Sequence, residues 1–181
     1  MSGATHCAFL RAVNLGRARR VSSSELRQAF EELDLESVAT FGSSGNVVFA
    51  AAQTPEERQV ESIEQALLQR FGFAVPVYLR SAEELRALSA ARPFGRAQRV
   101  EGGKLQVALL DRCPSPPVRA DVLAHASDAD RLAFGKRELL WLPSGGTRDS
   151  RLNLKAIEKL IGPWTMRTMR TIGQMAAKHF S

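Results

Sequence analysis

The sequence predicts an α+β protein made of duplicated ferredoxin-like (split β-α-β) subdomains, each an antiparallel sheet covered by helices. Three observations lead there. Apolar runs of strand length alternate with stripes of helical period in the order β-α-β-β-α-β over residues 1–80, which is the split β-α-β order. The same order recurs over residues 104–181 without a literal sequence repeat. The connections are short enough for consecutive elements to pack together. With 44% hydrophobic and 24% charged residues, a chain of 181 can bury a core in one domain or two small ones.

The first strand is expected over His6–Val13 (HCAFLRAV), leaving through Asn14-Leu15-Gly16 into a loop that carries Arg17, Arg19 and Arg20. A serine at 22–24 caps the next helix, with Ser22 and Glu25 spaced as a capping box. Leu26, Ala29, Phe30 and Leu33 then repeat at helical spacing. Val38–Phe41 reads as a short strand, Gly42–Gly45 as a turn and Asn46–Ala50 as the returning strand. Pro55 with Glu56 and Glu57 opens a helix whose apolar face is Val60, Ile63, Leu67 and Phe71, and Gly72 closes it. Phe73–Leu79 is the last strand, placed at an edge because Pro76 lacks an N–H. In this topology the first and third strands are central neighbours, so the two polar turns meet at one rim.

Ala82–Leu88 reads as a linking helix, and 90–103, with one proline and three glycines, as a mobile connector. The second subdomain, residues 104–181, begins with a strand at Leu105–Leu110. A helix at Val118–Ala126 follows, then a hairpin from Arg131–Phe134 and Glu138–Leu142. A Gly145-Gly146 loop precedes a helix at Leu152–Ile161, capped by Thr147, Asp149 or Ser150. Trp164–Met169 is the final strand, with an extra C-terminal helix from Ile172 to about Phe180.

Composition excludes several classes. No stretch approaches eighteen uninterrupted apolar residues, so no membrane span is expected. The N-terminus lacks a basic region followed by a long apolar run, so no secretory signal is expected. Cys7 and Cys113 read as buried structural thiols in a reduced, cytoplasmic protein. The three histidines have no metal-ligand spacing, and neither a metal nor a cofactor is expected. The Walker, dinucleotide-binding and GxSxG patterns are absent. Glu56, Glu57, Glu61 and Glu64 read as a solvated helix face. The formal charge of +6 is uneven: residues 1–90 carry −2 and residues 91–181 carry +8. Such a basic half suits either an anionic partner or a soluble arginine-rich surface.

The candidate ligand-binding residues are Arg11, Asn14, Gly16 and Arg17 at the first turn, and Ser43, Ser44 and Asn46 at the second. Arg148 and Arg151 on the glycine loop join them, as do Arg167 and Arg170 near the C-terminus. Arginine offers planar, bidentate donors for phosphate or carboxylate. Glycine lets backbone approach a ligand, and hydroxyls and amides orient polar groups. Most of these positions have a structural reading beside the functional one: turn hydrogen bonds for Ser43, Ser44, Asn46 and Asn14, a solvated loop for the arginines.

These motifs resemble those of a bacterial family, domain of unknown function 1697. Members carry LRGINVGG and TYIQSGNVVF, which are matched here by LRAVNLGR (Leu10 to Arg17) and TFGSSGNVVF (Thr40 to Phe49). The family's SKL is similar to Ser150-Arg151-Leu152, and its TTRNWNTV to TMRTMRTI (Thr165 to Ile172). Arg11, Asn14, Gly16, Ser44, Gly45, Asn46, Arg167 and Thr171 fit the pattern. Ala12, Arg17 and Ser43 depart from it, as do Thr168, Met169 and Arg170. The resemblance implies two α+β parts, the first ferredoxin-like, and no established activity. Three readings of function follow. The first is a cytoplasmic protein, not catalytic, that binds a phosphate-bearing small molecule or nucleic acid through arginine-bearing loops. The second is an enzyme acting on a phosphorylated or acidic metabolite positioned by Arg11, Arg17 and Asn14. The third is a protein–protein interaction or regulatory module.

Overall fold

A computed structural model describes residues 4–11, 13, 20–51, 56–95 and 104–180. They fall into two compact units, one of Met1–Ala87 with Gln174–Ser181, the other of Leu88–Gly173. The first contains β1 (His6–Leu10), α1 (Ser23–Glu31), β2 (Glu36–Thr40), β3 (Asn46–Ala50), α2 (Glu56–Phe71) and β4 (Val77–Ser81), and α3 (Ala82–Ala90) follows. The sheet order is β2-β3-β1-β4, antiparallel throughout. Hence β1 and β3 are the central pair, and β4, preceded by Pro76, is an edge.

Alternation along the strands sets the layers. Ala8, Leu10, Val47, Phe49, Val77 and Leu79 form one core with Leu26, Phe30, Ile63 and Leu67 of the helices. Each fully buried Leu or Phe here contributes roughly 1.5–3 kcal/mol. The intervening residues Cys7, Phe9, Val48, Tyr78 and Arg80 are buried as well. Helix α1 starts with the expected capping box. Ser22 Oγ accepts from the Glu25 N–H at 3.2 Å, and Glu25 Oε2 accepts from the Ser22 N–H at 2.8 Å.

The second unit holds β5 (Gln106–Leu110), α4 (Pro116–Leu123), β6 (Asp130–Phe134), β7 (Glu138–Pro143), α5 (Leu154–Ile161) and β8 (Trp164–Thr168). Its sheet order, β6-β7-β5-β8, repeats the first. The last helix, α6 (Met169–His179), begins in this unit, and its residues from Gln174 count with the first. Ala108, Val122, Leu132, Leu139, Trp141 and Ile157 form the core.

The duplication extends to single hydrogen bonds. The Ala82 N–H donates to Thr5 O at 2.8 Å where α3 begins, and the Met169 N–H to Leu105 O at 2.8 Å where α6 begins. The Leu10 N–H donates to Gly45 O at 2.8 Å, and the Leu110 N–H to Arg137 O at 2.9 Å. Arg80 faces Cys7 across one sheet and Arg167 faces Val107 across the other. Both arginines are buried, and each donates from Nη1 to the carbonyl of its preceding residue, at 2.6 and 2.7 Å. Ser81 Oγ accepts from the Glu84 N–H, and Thr168 Oγ1 from the Thr171 N–H, capping the two trailing helices alike. The linking helix and the C-terminal helix are therefore counterparts, each following the last strand of its copy.

Several boundaries differ from expectation for physical reasons. β1 ends at Leu10, where β3 gives way to the turn at Gly45 on one side and Pro76, which has no N–H to return, stands on the other. The last strand of the first unit is Val77–Ser81 and not Phe73–Leu79. Pro76 has no N–H to donate, and the strand continues through Arg80, whose charge hides its burial from an apolar pattern. β2 runs over Glu36–Thr40, passing through an irregular register between Glu36 and Ala39. Helix α4 starts at Pro116, since a proline in the first turn sacrifices no intrahelical bond. Helix α5 starts at Leu154, capped by Asn153, whose Oδ1 accepts from the Ala156 N–H at 3.0 Å.

Candidate functional site

In the first unit the ends of β1 and β3 lie side by side. Phe9 faces Asn46, and the Leu10 N–H reaches Gly45 O. Gly45 has φ +68, and a Cβ added there would stand 3.0 Å from Leu10 Cβ and 3.5 Å from Val13 Cβ. Glycine thus lets the second turn press against the end of the first strand. Asn46 is buried, and its Nδ2 donates to Phe41 O at 2.8 Å, while the Phe41 N–H donates to Asn46 O at 2.9 Å. That pair of bonds closes the turn, with Ser43 and Ser44 exposed at its tip. Arg11 follows β1, its N–H donating to Pro76 O at 2.9 Å. Asn14, Gly16 and Arg17 lie outside the described residues.

Two histidines of this unit are perturbed, His6 at the opposite end of β1 and His179 against Phe41 of the turn. His6 stacks on Phe49 with centroids 5.7 Å apart, and its Nδ1 is 2.8 Å from Thr5 Oγ1. Burial holds its pKa below the ordinary value, against the pull of Glu56 and Glu84. His179 meets Phe41 edge to face at 6.1 Å, and its Nε2 is buried with no hydrogen-bond partner among the described residues. Burial and then Lys178 lower its pKa.

In the second unit the glycine loop borders a cavity of about 400 Å³. Its wall includes Ser127, Asp130, Ser144, Gly145, Gly146, Asp149, Ser150 and Arg151. Asp130 is the fixed point. It is 4% exposed, and its Oδ1 accepts from Trp141 Nε1 at 2.8 Å and from Ser150 Oγ at 2.6 Å. Ser127 Oγ accepts from the Asp130 N–H at 3.1 Å, which sets the carboxylate at the entry of β6. Oδ2 has no hydrogen-bond partner among the described residues. Ser150, expected as a helix cap, instead bridges Asp130 and the Leu152 N–H, the latter at 3.0 Å. Arg148 and Arg151 are exposed, and neither makes an ion pair among the described residues.

The C-terminal arginines are separated by burial. Arg167, 8% exposed, donates from Nη1 to Thr165 Oγ1 at 2.9 Å and to Met166 O, within the β8 strand. Arg170 is exposed on the first turn of α6. Cys7 is buried as expected, but Cys113 is exposed. It closes the exposed stretch Asp111-Arg112-Cys113 that follows the end of β5, and Arg119 Nη2 donates to its Sγ at 2.9 Å. Arg119 also donates to Gly135 O and Lys136 O and lies 5.1 Å over Phe134. Among the described residues no group of three or more His, Cys, Asp or Glu is placed to hold a metal ion. No helix among them is long and apolar enough to cross a membrane.

Sequence reasoning finds Arg151 of this cavity, reads Ser150 as a helix cap, and misses Asp130, Ser127 and Ser144. The available signal is the run Ser127-Asp128-Ala129-Asp130 just ahead of a strand, where short polar side chains bind nearby backbone.

Two sheets of one topology, repeated within the chain, define a tandem ferredoxin-like α+β protein. Residues 4–140 match the family described as a protein of unknown function, DUF1697, and the chain belongs to that family. Among solved structures, it is similar to the conserved bacterial protein SP0830 from Streptococcus pneumoniae. The identity is 23% and the TM-score 0.76, over 98% of this chain and 100% of that one. At this identity the likeness shows the fold. No curated protein matches.

Proposed function

We propose that the protein is a cytoplasmic, non-catalytic binder of a small anionic ligand, taken up through the arginine-bearing glycine loop of the second unit. The observation that carries this reading is Arg151, an exposed guanidinium with no ion pair among the described residues, on the wall of a cavity of about 400 Å³. Cavities of roughly 300–1,000 Å³ are the usual size for small-molecule sites. The Gly145-Gly146 turn brings backbone close to that space, and the residues from 91 onward carry the positive excess. Two free cysteines suit a reducing compartment.

Titration with ethyl phosphate at about 50 mM salt, where phosphate contacts are strong, tests it. Chemical-shift changes should centre on residues 144–151 and vanish in Arg151→Ala. Saturable binding unchanged by Arg151→Ala, or no binding, would overturn the reading. Nucleic acid is the second reading, favoured by Arg148 and Arg170, two further exposed arginines of the basic half. A single-stranded oligonucleotide that binds with a steep salt dependence, and shifts residues around Arg170 as well, would favour it.

A further inference from the structure

Resting on that reading, we infer that the cavity selects a zwitterion: a small molecule with an ammonium group for Asp130 and a phosphate or carboxylate for Arg151. The argument starts from what Asp130 lacks. A carboxylate has about four acceptor positions. Trp141 and Ser150 occupy Oδ1 alone, and no described residue donates to Oδ2. The side chain is almost wholly buried yet lines the cavity. Oδ2 is not among the buried atoms left without a partner, so it opens on the cavity, where an entering donor can meet it.

Charge narrows the class further. Asp130 and Asp149 face the same cavity as Arg151, two carboxylates against one guanidinium. The site is formally −1, and a plain anion entering it meets like charge as well as its arginine. A ligand that brings its own cation relieves that repulsion and supplies the missing donor together. Asp130 is also held in place beforehand: its backbone N–H is anchored to Ser127 Oγ and its Oδ1 is gripped from two sides. A carboxylate fixed in this way recognises position as well as charge. Asp149, beside Gly145 and Gly146, adds a second attractive group for the ammonium.

Calorimetric titration of the full chain with three probes tests this. O-phosphoethanolamine carries phosphate and ammonium, glycerol 3-phosphate carries phosphate and hydroxyls, and ethyl phosphate carries phosphate alone. The wild type should bind phosphoethanolamine at least tenfold more tightly than either other probe, the scale of one charge-assisted bond. Asp130→Asn should reduce that preference to about threefold or less while ethyl phosphate binds as before or better. Asp149→Asn, at an exposed position, should lower the preference without threatening the fold. Equal wild-type affinity for phosphoethanolamine and ethyl phosphate overturns the inference and leaves anion binding standing. Glycerol 3-phosphate bound as tightly as phosphoethanolamine also overturns it, and assigns Asp130 to hydroxyls. Failure of all three probes to bind defeats both readings.

Discussion

Replacing Gly45 and Gly42 by alanine, one at a time, separates two effects that glycine usually combines. Both sit in the same turn with nearly the same backbone, φ +68 and +64. Forcing an alanine into that left-handed region costs about 1–2 kcal/mol, partly offset by the lower entropy of the unfolded chain. Those contributions cancel in the comparison. At Gly42 nothing lies within 4 Å of an added Cβ, whereas at Gly45 the new methyl meets Leu10 Cβ at 3.0 Å. That atom rides on the β1 backbone and cannot rotate aside. Overpacking of this kind costs roughly 1–3 kcal/mol. Gly45→Ala should therefore destabilise the first unit by about 1–3 kcal/mol more than Gly42→Ala. Amide hydrogen exchange at Phe9 and Val48, on the central strand pair, reads this directly. Each 1.4 kcal/mol appears as about a tenfold loss of protection. Equal protection in the two variants, within about twofold, would refute the claim that the second turn presses on the first strand.

Ser22→Ala should cost about 1 kcal/mol at neutral pH by removing the cap of α1, measured by urea unfolding. Hydrogen bonds from Ser22 hold the Glu25 carboxyl below its ordinary value. Its contribution is present above the unfolded-state pKa and fades as pH falls through the folded one, so wild type and variant should converge in acid. His6 and His179 shift the same way for a different reason, since burial favours their neutral forms. Between their lowered folded values and the ordinary 6.5, the unfolded chain binds more protons. Melting curves should therefore show stability falling on acidification from pH 7, less steeply in His179→Gln. A thiol-reactive dye should label Cys113 in the folded protein and reach Cys7 only after denaturation; labelling of both at one rate would contradict a buried Cys7 and an exposed Cys113.

What the sequence makes legible here is whatever depends on apolar period and turn chemistry. The stripe of α1, its Ser22 cap, the Gly42–Gly45 turn and the return at Asn46 need only neighbouring residues to be read. The order of the strands follows from the split β-α-β pattern. Burial of polar groups is not written in that language. Arg80 and Arg167 look like strand ends or surface charge, yet both lie inside, each tied to the carbonyl before it. Asp130 resembles one more turn residue, and its role depends on Trp141 and Ser150, 11 and 20 positions away. The exposure of Cys113 likewise follows from β5 ending at Leu110, three positions before it, which no apolar pattern records.

Residues Gln174–Ser181 are counted with the first unit, although all of the second unit's strands lie between. Met175, Ala176 and Phe180 in that segment are buried, and Arg86 Nε donates to Phe180 O. A nascent chain therefore emerges from the ribosome with its first domain lacking the buried side chains of Met175, Ala176 and Phe180 until the last helix has been made. Ribosome-bound fragments stalled near residue 95 should remain protease-sensitive, and a short peptide covering the missing segment should protect them. Manufacture of the two copies is sequential, but completion of the first waits for the second.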